Sequence, residues 1–405
     1  MSFSTDFRNR SFSECLEAIS KLKLPYVVKR LSGNDTGLTG GHQAGVYLPR
    51  VFFERTVPEI NSTTDYNPRA DIHCYLPVNG GDAATLSAIY YNSRFFPERG
   101  LKKKYNEFRL TGWGGATSPV QNEENTGCVF VFAVMNGAEG VEAVALVAES
   151  LNDENLIEEW LGRSVEPAEI ILSEDISVVP PRKEAFPSEW LDEFPNGRTL
   201  FNHVVDSLPR AGWGKSLDEL LLKRRSLEYQ IYGAVESAHV MPSVSAGFGN
   251  VDEFMKLALS VANRRKSRTG SSLEYNLAAI FTDEKINFAD QVVTEHRKKP
   301  DFIFPSEESY RDLTFESKSL TMLAAKTCCK DRWRQVLSEA NRIEKKHLFT
   351  LQEGVSPNQL LEMEAGGLQL VVPEPNLKSF SKEWRGKILN LESFVRLVRG
   401  RQACG

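Results

Sequence analysis

Residues 298–304, Lys298-Lys299-Pro300-Asp301-Phe302-Ile303-Phe304, decide how this 405-residue chain is read. Pro300 cannot donate to a ladder and closes a basic loop, and the apolar triplet after Asp301 predicts a short buried strand. Asp301 then stands at a strand end, where a cation and a phosphate can both reach its carboxylate. A second apolar run, 320–325, stops at Lys326. An ammonium at the end of a neighbouring strand can hold a water or a phosphate beside Asp301.

Pro-Asp followed at a distance by a strand-end lysine is one half of the PD-(D/E)XK nuclease signature. The acidic residue two positions before the lysine is absent, because Ala324 stands there. One carboxylate makes a weak metal site, and Glu339 offers the second. A helix is predicted over 331–343, and on it Arg332, Gln335, Glu339 and Arg342 form one stripe. Facing the strand ends, that stripe would let Glu339 complete a two-carboxylate Mg²⁺ site with Asp301. A solvated charged helix face has the same pattern.

Outward from this centre the C-terminal half alternates helices and strands. Ser216 and Glu219 fit a capping box opening a helix, and further helices are predicted over 251–262, 271–281 and 357–364. Strands are predicted over 291–294, 302–304, 320–325, 347–351 and 368–372, which makes an α/β domain with a mixed central sheet. The N-terminal half is β-rich, with strand-like runs at 26–28, 72–76, 87–91, 129–134 and 143–147 and an acidic helix at 152–161. Pro180, Pro181, Pro187, Pro195 and Gly197 mark a linker. The expected division is 1–178, linker 179–200, and 201–405.

The net charge of −5 conceals an asymmetry: +4 over 1–110, −14 over 111–220 and +5 over 221–405. Two basic modules flank an acidic middle, and polyanion binding follows local field, not the sum. Six scattered cysteines, with only Cys328 and Cys329 adjacent, give neither a disulfide framework nor a zinc chelate. The N-terminus lacks the apolar core of a signal peptide and no apolar run reaches ~20 residues, so the expected compartment is the cytoplasm.

Three strings, KKPDFIFPS, LAAKTCCKDRWRQVLSEA and HLFTLQEGVS, resemble the C-terminal catalytic domain of EcoRII-type restriction endonucleases. The resemblance runs upstream through GFGNVDEF and SVANRRKSRTGSSLE, and into the first module through KRLSGNDTGLTGGHQAGVYLP, AIYYNSR and ENTG. It implies a Mg²⁺-dependent type II homodimer that hydrolyses both strands of DNA at CC(A/T)GG or a closely related CC-N-GG site. A cytosine methyltransferase is the expected partner in such a system. Asp301, Lys326 and Glu339 fall on catalytic positions, with Glu274 as a further acid that orients water or only caps and salt-bridges. Lys330, Asp331 and Arg332 fall on the element that reads CC/GG, where arginine and lysine donate to guanine and aspartate accepts from cytosine. Arg225 and Tyr229, at i and i+4, match a pocket for a flipped central base. Arg264, Arg265, Lys266 and Arg268, ahead of a predicted helix start, suit DNA phosphates.

The first module resembles the family's effector domain, a DNA-binding pseudobarrel that binds a second copy of the site and relieves autoinhibition. His42, Tyr47, Lys103, Glu107 and Arg109 match effector-cleft positions. Tyr105, Phe108 and Gly112 replace family cations, which puts effector specificity in question. Two rival readings are a DNA-binding regulator with an inactive nuclease domain and a recombinase using Tyr310 as a nucleophile.

Overall fold

The computed structural model describes residues 7, 10–40, 45–78, 81–101, 104–137, 140–173, 186–329 and 332–404. His42, Lys103, Lys330 and Asp331 lie outside the described residues, as does the side chain of Lys266. No helix among them is long and apolar enough to cross a membrane.

The first module opens with helix α1 (Phe12–Lys21), capped by a reciprocal box between Ser11 and Glu14. Strands β1 (Tyr26–Arg30) and β2 (Val46–Leu48), helix α2 (Arg50–Thr56), and strands β3 (Arg69–Leu76), β4 (Gly81–Tyr91), β5 (Glu107–Thr111), β6 (Val129–Gly137) and β7 (Gly140–Val147) follow. Helix α3 (Leu151–Leu161) and strand β8 (Ile170–Leu172) close it. One eight-stranded sheet results, ordered β2-β5-β4-β3-β7-β6-β1-β8, in which β3 and β7 run parallel and the other neighbours antiparallel. The run Val129 to Val134 is apolar without alternation because both faces of β6 are covered. Phe130 and Phe132 pack with Phe52, Phe53 and Phe108, whereas Val129 and Val131 pack with Phe12, Leu16 and Ile157.

The second module begins with α4 (Gly197–Ser207), α5 (Leu217–Ala246) and α6 (Val251–Asp283). Then come β9 (Ala289–Asp290), β10 (Phe302–Phe304), α7 (Glu307–Arg311), β11 (Thr321–Lys326), α8 (Trp333–Val336), β12 (Lys346–Thr350), α9 (Pro357–Ala365) and β13 (Leu368–Val371). Short helices α10 (Glu374–Leu377) and α11 (Lys382–Arg385) lead to α12 (Leu391–Cys404). The sheet is mixed, as expected: β13, β12 and β11 are parallel neighbours, and β10 and β9 add antiparallel. Helices α5, α6 and α12 bury one face through Leu221, Leu277, Phe281 and Phe394, and α8, α9 and α11 bury the other through Trp333, Leu360 and Trp384.

Four expectations need correction. The helices predicted over 251–262 and 271–281 are one 33-residue helix, α6. Nothing in the basic stretch between them breaks a helix, and Arg265 chelates Glu236 of α5 at 2.8 and 2.5 Å there. The predicted helix over 331–343 is reduced to the four residues of α8. Ala340 adopts a left-handed φ of 48°, and Arg342 donates to the carbonyls of Asp312 and Phe315 at 3.0 Å each, fastening the segment as a loop. The strand predicted over 291–294 is absent, because Gln291 turns to φ 53° just after β9. The stretch read as linker ends in structure: α4 starts at Gly197, and Trp190 and Leu200 are buried with Ile231.

Candidate active site at the ends of β10 and β11

The register Phe302↔Leu323 aligns β10 and β11 so that Asp301 and Lys326 meet at one end of the sheet. Asp301 Oδ2 accepts from the Ala325 backbone N–H at 2.7 Å and from Lys326 Nζ at 3.0 Å. The carboxylate is buried, with 6% of the residue exposed, and a backbone N–H and an ammonium face it. Both bonds fall on Oδ2, and Oδ1 carries none among the described residues.

Glu339 reaches this site from the loop after α8, not from a helix face. Burial pushes its carboxyl up to about 7, the Lys326 ammonium opposing and the Asp301 carboxylate adding to the rise. Its Oε2 is buried without a hydrogen-bond partner among the described residues. An orphaned carboxylate oxygen beside a second carboxylate is what a hard divalent cation would satisfy. Mg²⁺ takes one or two protein carboxylates and keeps several waters, so Asp301 and Glu339 fit it as donors. Among the described residues no group of three His, Cys, Asp or Glu side chains forms a metal cage. Glu274, on α6, belongs to the same electrostatic group: burial raises its carboxyl, Asp301 adds to the rise and Lys326 opposes it. Its Oε2 accepts from Gln291 Nε2 at 3.1 Å.

Lys326 and Glu274 line a cleft of about 460 Å³. The second module contributes Lys326, Arg332, Gln335 and Glu274, and the first contributes Glu154, Glu158 and Glu166. Arg30 lines the same cleft and pairs with Glu154 and Glu158 of α3, whereas Glu166 reaches across to Arg225 and Arg268 of the second module. Arg225 and Tyr229 lie on α5 as predicted, one turn apart. Arg225 is 9% exposed and donates to Ser272 Oγ at 2.9 Å and to Glu166 at 2.5 Å. Tyr229 is 38% exposed, and the guanidinium groups of Arg268 and Arg163 stand 5.3 and 5.4 Å from its ring centre.

Comparison with known proteins covers both modules. The family described as "EcoRII C terminal" matches residues 232–395, and "Restriction endonuclease EcoRII, N-terminal" matches 21–176. The type II restriction enzyme EcoRII of Escherichia coli is 39% identical over 385 residues, which cover 92% of this chain and 93% of that enzyme. The chain belongs to the EcoRII restriction endonuclease family. Solved structures of metal-depleted Ecl18kI in complex with uncleaved, modified DNA and with uncleaved DNA resemble it at 19% and 18% identity, with TM-scores of 0.45 and 0.43. They cover 53% and 54% of this chain and 82% and 86% of theirs, a likeness too distant to argue from.

In this member of the EcoRII family the basic cluster is mid-helix, so the helix N-terminus expected to help it hold phosphate is not there. Arg264 lies over the Phe194 ring at 4.4 Å, Arg265 pairs with Glu236, and Arg268 sits 3.7 Å from Glu166. In the first module Tyr47 and Arg109 are register partners across β2 and β5. They share a cavity of about 270 Å³ with Glu107, Lys29, Asp35 and Glu169. Phe108 points the other way, stacked on Tyr90 at 4.1 Å and 1% exposed. The concern that Phe108 strips a cation from the reading face is therefore corrected: strand alternation puts 107 and 109 outside and 108 in the core.

Tyr310 is 4% exposed and donates its hydroxyl to Glu295 at 2.7 and 2.9 Å. Burial and that carboxylate raise its pKa, so it does not present a phenolate nucleophile. Glu295 also accepts from the Asn341 N–H at 3.1 Å. Tyr310 and Glu295 thus tie down the loop that carries Glu339, a role that no periodicity announced.

Proposed function

We propose that this chain is a type II restriction endonuclease with a PD-(D/E)XK active site that hydrolyses both strands of DNA at CC(A/T)GG or a closely related CC-N-GG site. The observation that carries the reading is the meeting of Asp301, Lys326 and the orphaned Glu339 oxygen at the ends of β10 and β11. Asp301 and Glu339 would hold Mg²⁺, which supplies Lewis-acid stabilisation of the charge developing on the phosphate. Lys326 donates to the attacked phosphate or the incoming water, in a place fixed by Asp301. Water oxygen bonds phosphorus and gives up a proton to solvent, the P–O3′ bond breaks, and the departing O3′ takes a proton from solvent to become a hydroxyl. Glu274 positions that water from α6. Arg332, with Lys330 and Asp331 beside it, reads the C·G pairs, and Arg225 with Tyr229 receives the flipped central base.

The module through residue 178 is the effector domain, and the module from 201 onward cuts. The pseudobarrel reading is supported by Lys29 of β1, whose Nζ reaches the Tyr47 carbonyl of β2 at 3.4 Å across the sheet's open side. One chain carries one Asp301, Lys326 and Glu339 set, so cutting two strands calls for a second copy. The tip of the α5 and α6 hairpin supports it: Val251 is 73% exposed and Phe254 49%, with Met241 and Leu259 also exposed. A cytosine methyltransferase of the same site specificity is the partner that protects the host DNA. The test is digestion of a sequenced plasmid with Mg²⁺ and mapping of the ends. Cuts at CC-N-GG sites with 5′-phosphates are the expected result. Intact plasmid with retained binding would favour a regulator with an inactive nuclease domain.

A further inference from the structure

Arg225 and Glu228 stand three residues apart on α5, and Ser272 and Asn276 four apart on α6, so each pair shares a helix face. The two faces meet inside the second module, where Glu228 and Ser272 are 2% exposed and Asn276 is fully buried. Arg225 Nη1 donates to Ser272 Oγ at 2.9 Å. Ser272 Oγ donates to Glu228 Oε2 at 2.7 Å, and the same oxygen accepts from Asn276 Nδ2 at 3.3 Å. Asn276 Nδ2 also donates to the Ser272 carbonyl at 2.9 Å.

The direction of this chain is set by its protons. A guanidinium has donors only and an ionised carboxylate acceptors only, whereas a serine hydroxyl has one proton. Ser272 therefore accepts from Arg225 and has its own proton left for Glu228. Without an acceptor at 228 the hydroxyl is free to turn, and its lone pair is no longer kept toward Arg225. The other hydrogen bond of Arg225 goes to Glu166 in the first module, so within the second module Ser272 is what holds the guanidinium, among the described residues. Glu228 has no place in the cleavage chemistry proposed above, yet it is a buried acid. Burial raises its carboxyl, and Ser272, Arg225, Arg268 and Asn276 oppose the rise. An acid kept in such a place is stabilised by these donors, and in turn it orders them.

We propose that Glu228 is a positioning residue for the base pocket: through Ser272, and with Asn276 holding the same oxygen, it fixes the plane of the Arg225 guanidinium against which a flipped base lies. The proposal rests on reading Arg225 and Tyr229 as that pocket. A guanidinium stacks on a ring only when the two planes are aligned, so the orientation of Arg225 matters as well as its charge. Arginine has a long side chain with much rotamer freedom to lose. The hydrogen-bond chain orders it during folding and leaves less to be ordered when the base arrives. What Glu228 supplies is an acceptor oxygen for Ser272, and the charge of the carboxylate is secondary.

The experiment uses the full-length protein without metal, so that nothing is cut, and two cognate duplexes supplied in excess. One carries 2-aminopurine at the central pair, which brightens when the base leaves the stack. The other has abasic positions in place of the central pair and gives the pocket nothing to hold. Wild type should brighten the first. Glu228→Ala and Ser272→Ala should each bind it about tenfold more weakly, the order of one charge-assisted hydrogen bond, and leave it dimmer when bound. Both variants should bind the abasic duplex as wild type does. Glu228→Gln keeps a carbonyl oxygen for Ser272 and Asn276 and should restore the bright state. Equal weakening on the two duplexes would show a structural role alone and overturn the proposal. Wild-type brightness in Ser272→Ala, or a Glu228→Gln variant as dim as Glu228→Ala, would overturn it too. Arg225→Ala checks the underlying reading: wild-type brightness there, or a wild type that stays dark, would remove Arg225 from the base pocket whatever Glu228 does.

Discussion

Lys326 Nζ stands 3.0 Å from Asp301 Oδ2, and the same oxygen takes the Ala325 N–H. The ammonium is therefore placed by the carboxylate, and the two form one unit. Lys326→Ala and Asp301→Ala should each lower cleavage by about three orders of magnitude or more, because transition-state charge is stabilised by few groups. Filter binding to cognate DNA should persist, since the proposed base-reading positions lie elsewhere. Near-normal cutting by either variant would remove the nuclease assignment.

Glu339 gives a pH signature. Its folded carboxyl titrates near 7, above the ordinary 4.5, because burial outweighs the pull of Lys326. Between those values the folded protein keeps a proton that the unfolded chain has lost. Stability of the metal-free protein should therefore fall as pH rises through this window and level off above it. Thermal unfolding from pH 4.5 to 8 should show that fall in wild type and a flatter profile in Glu339→Gln. Equal slopes would mean that Glu339 is not the buried acid.

Arg332 lines the cleft beside Lys326 and Gln335. Arg332→Ala should cost discrimination, about 1–3 kcal/mol against cognate DNA for a lost bidentate base contact. Competition between cognate and scrambled duplexes measures it. Equal weakening on both, with a shallower salt slope, would mean a backbone contact instead.

Gly33 and Gly127 of the first module lie directly against the second. A Cβ on Gly33 would sit 1.9 Å from the Ser379 carbonyl oxygen, and one on Gly127 would sit 2.1 Å from Gln352 Nε2. Gly33 N–H also donates to the Glu353 carbonyl at 3.0 Å. Gly33→Ala should force the modules apart while leaving both cores intact. Faster cutting of one-site DNA is expected. An unchanged rate would show that the contact is not closed in solution.

The hairpin tip tests the dimer. Phe254→Asp with Val251→Asp places charge on the exposed apolar face and should shift the protein to monomer by light scattering. Such a variant should nick supercoiled plasmid and linearise it slowly. A wild-type mass in solution would move the second copy to another surface.

Much of the candidate site's geometry was legible because it sits at strand ends. Asp301 and Lys326 flank the buried runs 302–304 and 320–325, which leave little freedom in register. Glu339 was found by its distance from Lys326, but its setting was misread. The helical stripe through Arg332 and Glu339 is real as periodicity, yet Arg342 and Ala340 make tertiary commitments that no local pattern carries. The join at 264–270 failed for the opposite reason. Glycine and a run of cations read as a turn, whereas the Glu236 partner that neutralises Arg265 comes from another helix. Glu295 and Glu166 were invisible to sequence because each works through a residue far along the chain.

The acidic residues over the cleft have a consequence for ionic strength. A protein with bare cationic floor gains affinity from the counterions that DNA sheds, and loses it steeply as salt rises. Arg225 and Arg268 are already paired with Glu166, so DNA bound there as proposed would replace a carboxylate rather than counterions. Salt weakens the internal ion pairs along with the DNA contacts. The full-length protein should therefore bind with a flatter dependence on salt than its count of arginines and lysines implies, and its grip on random sequence should be correspondingly poor.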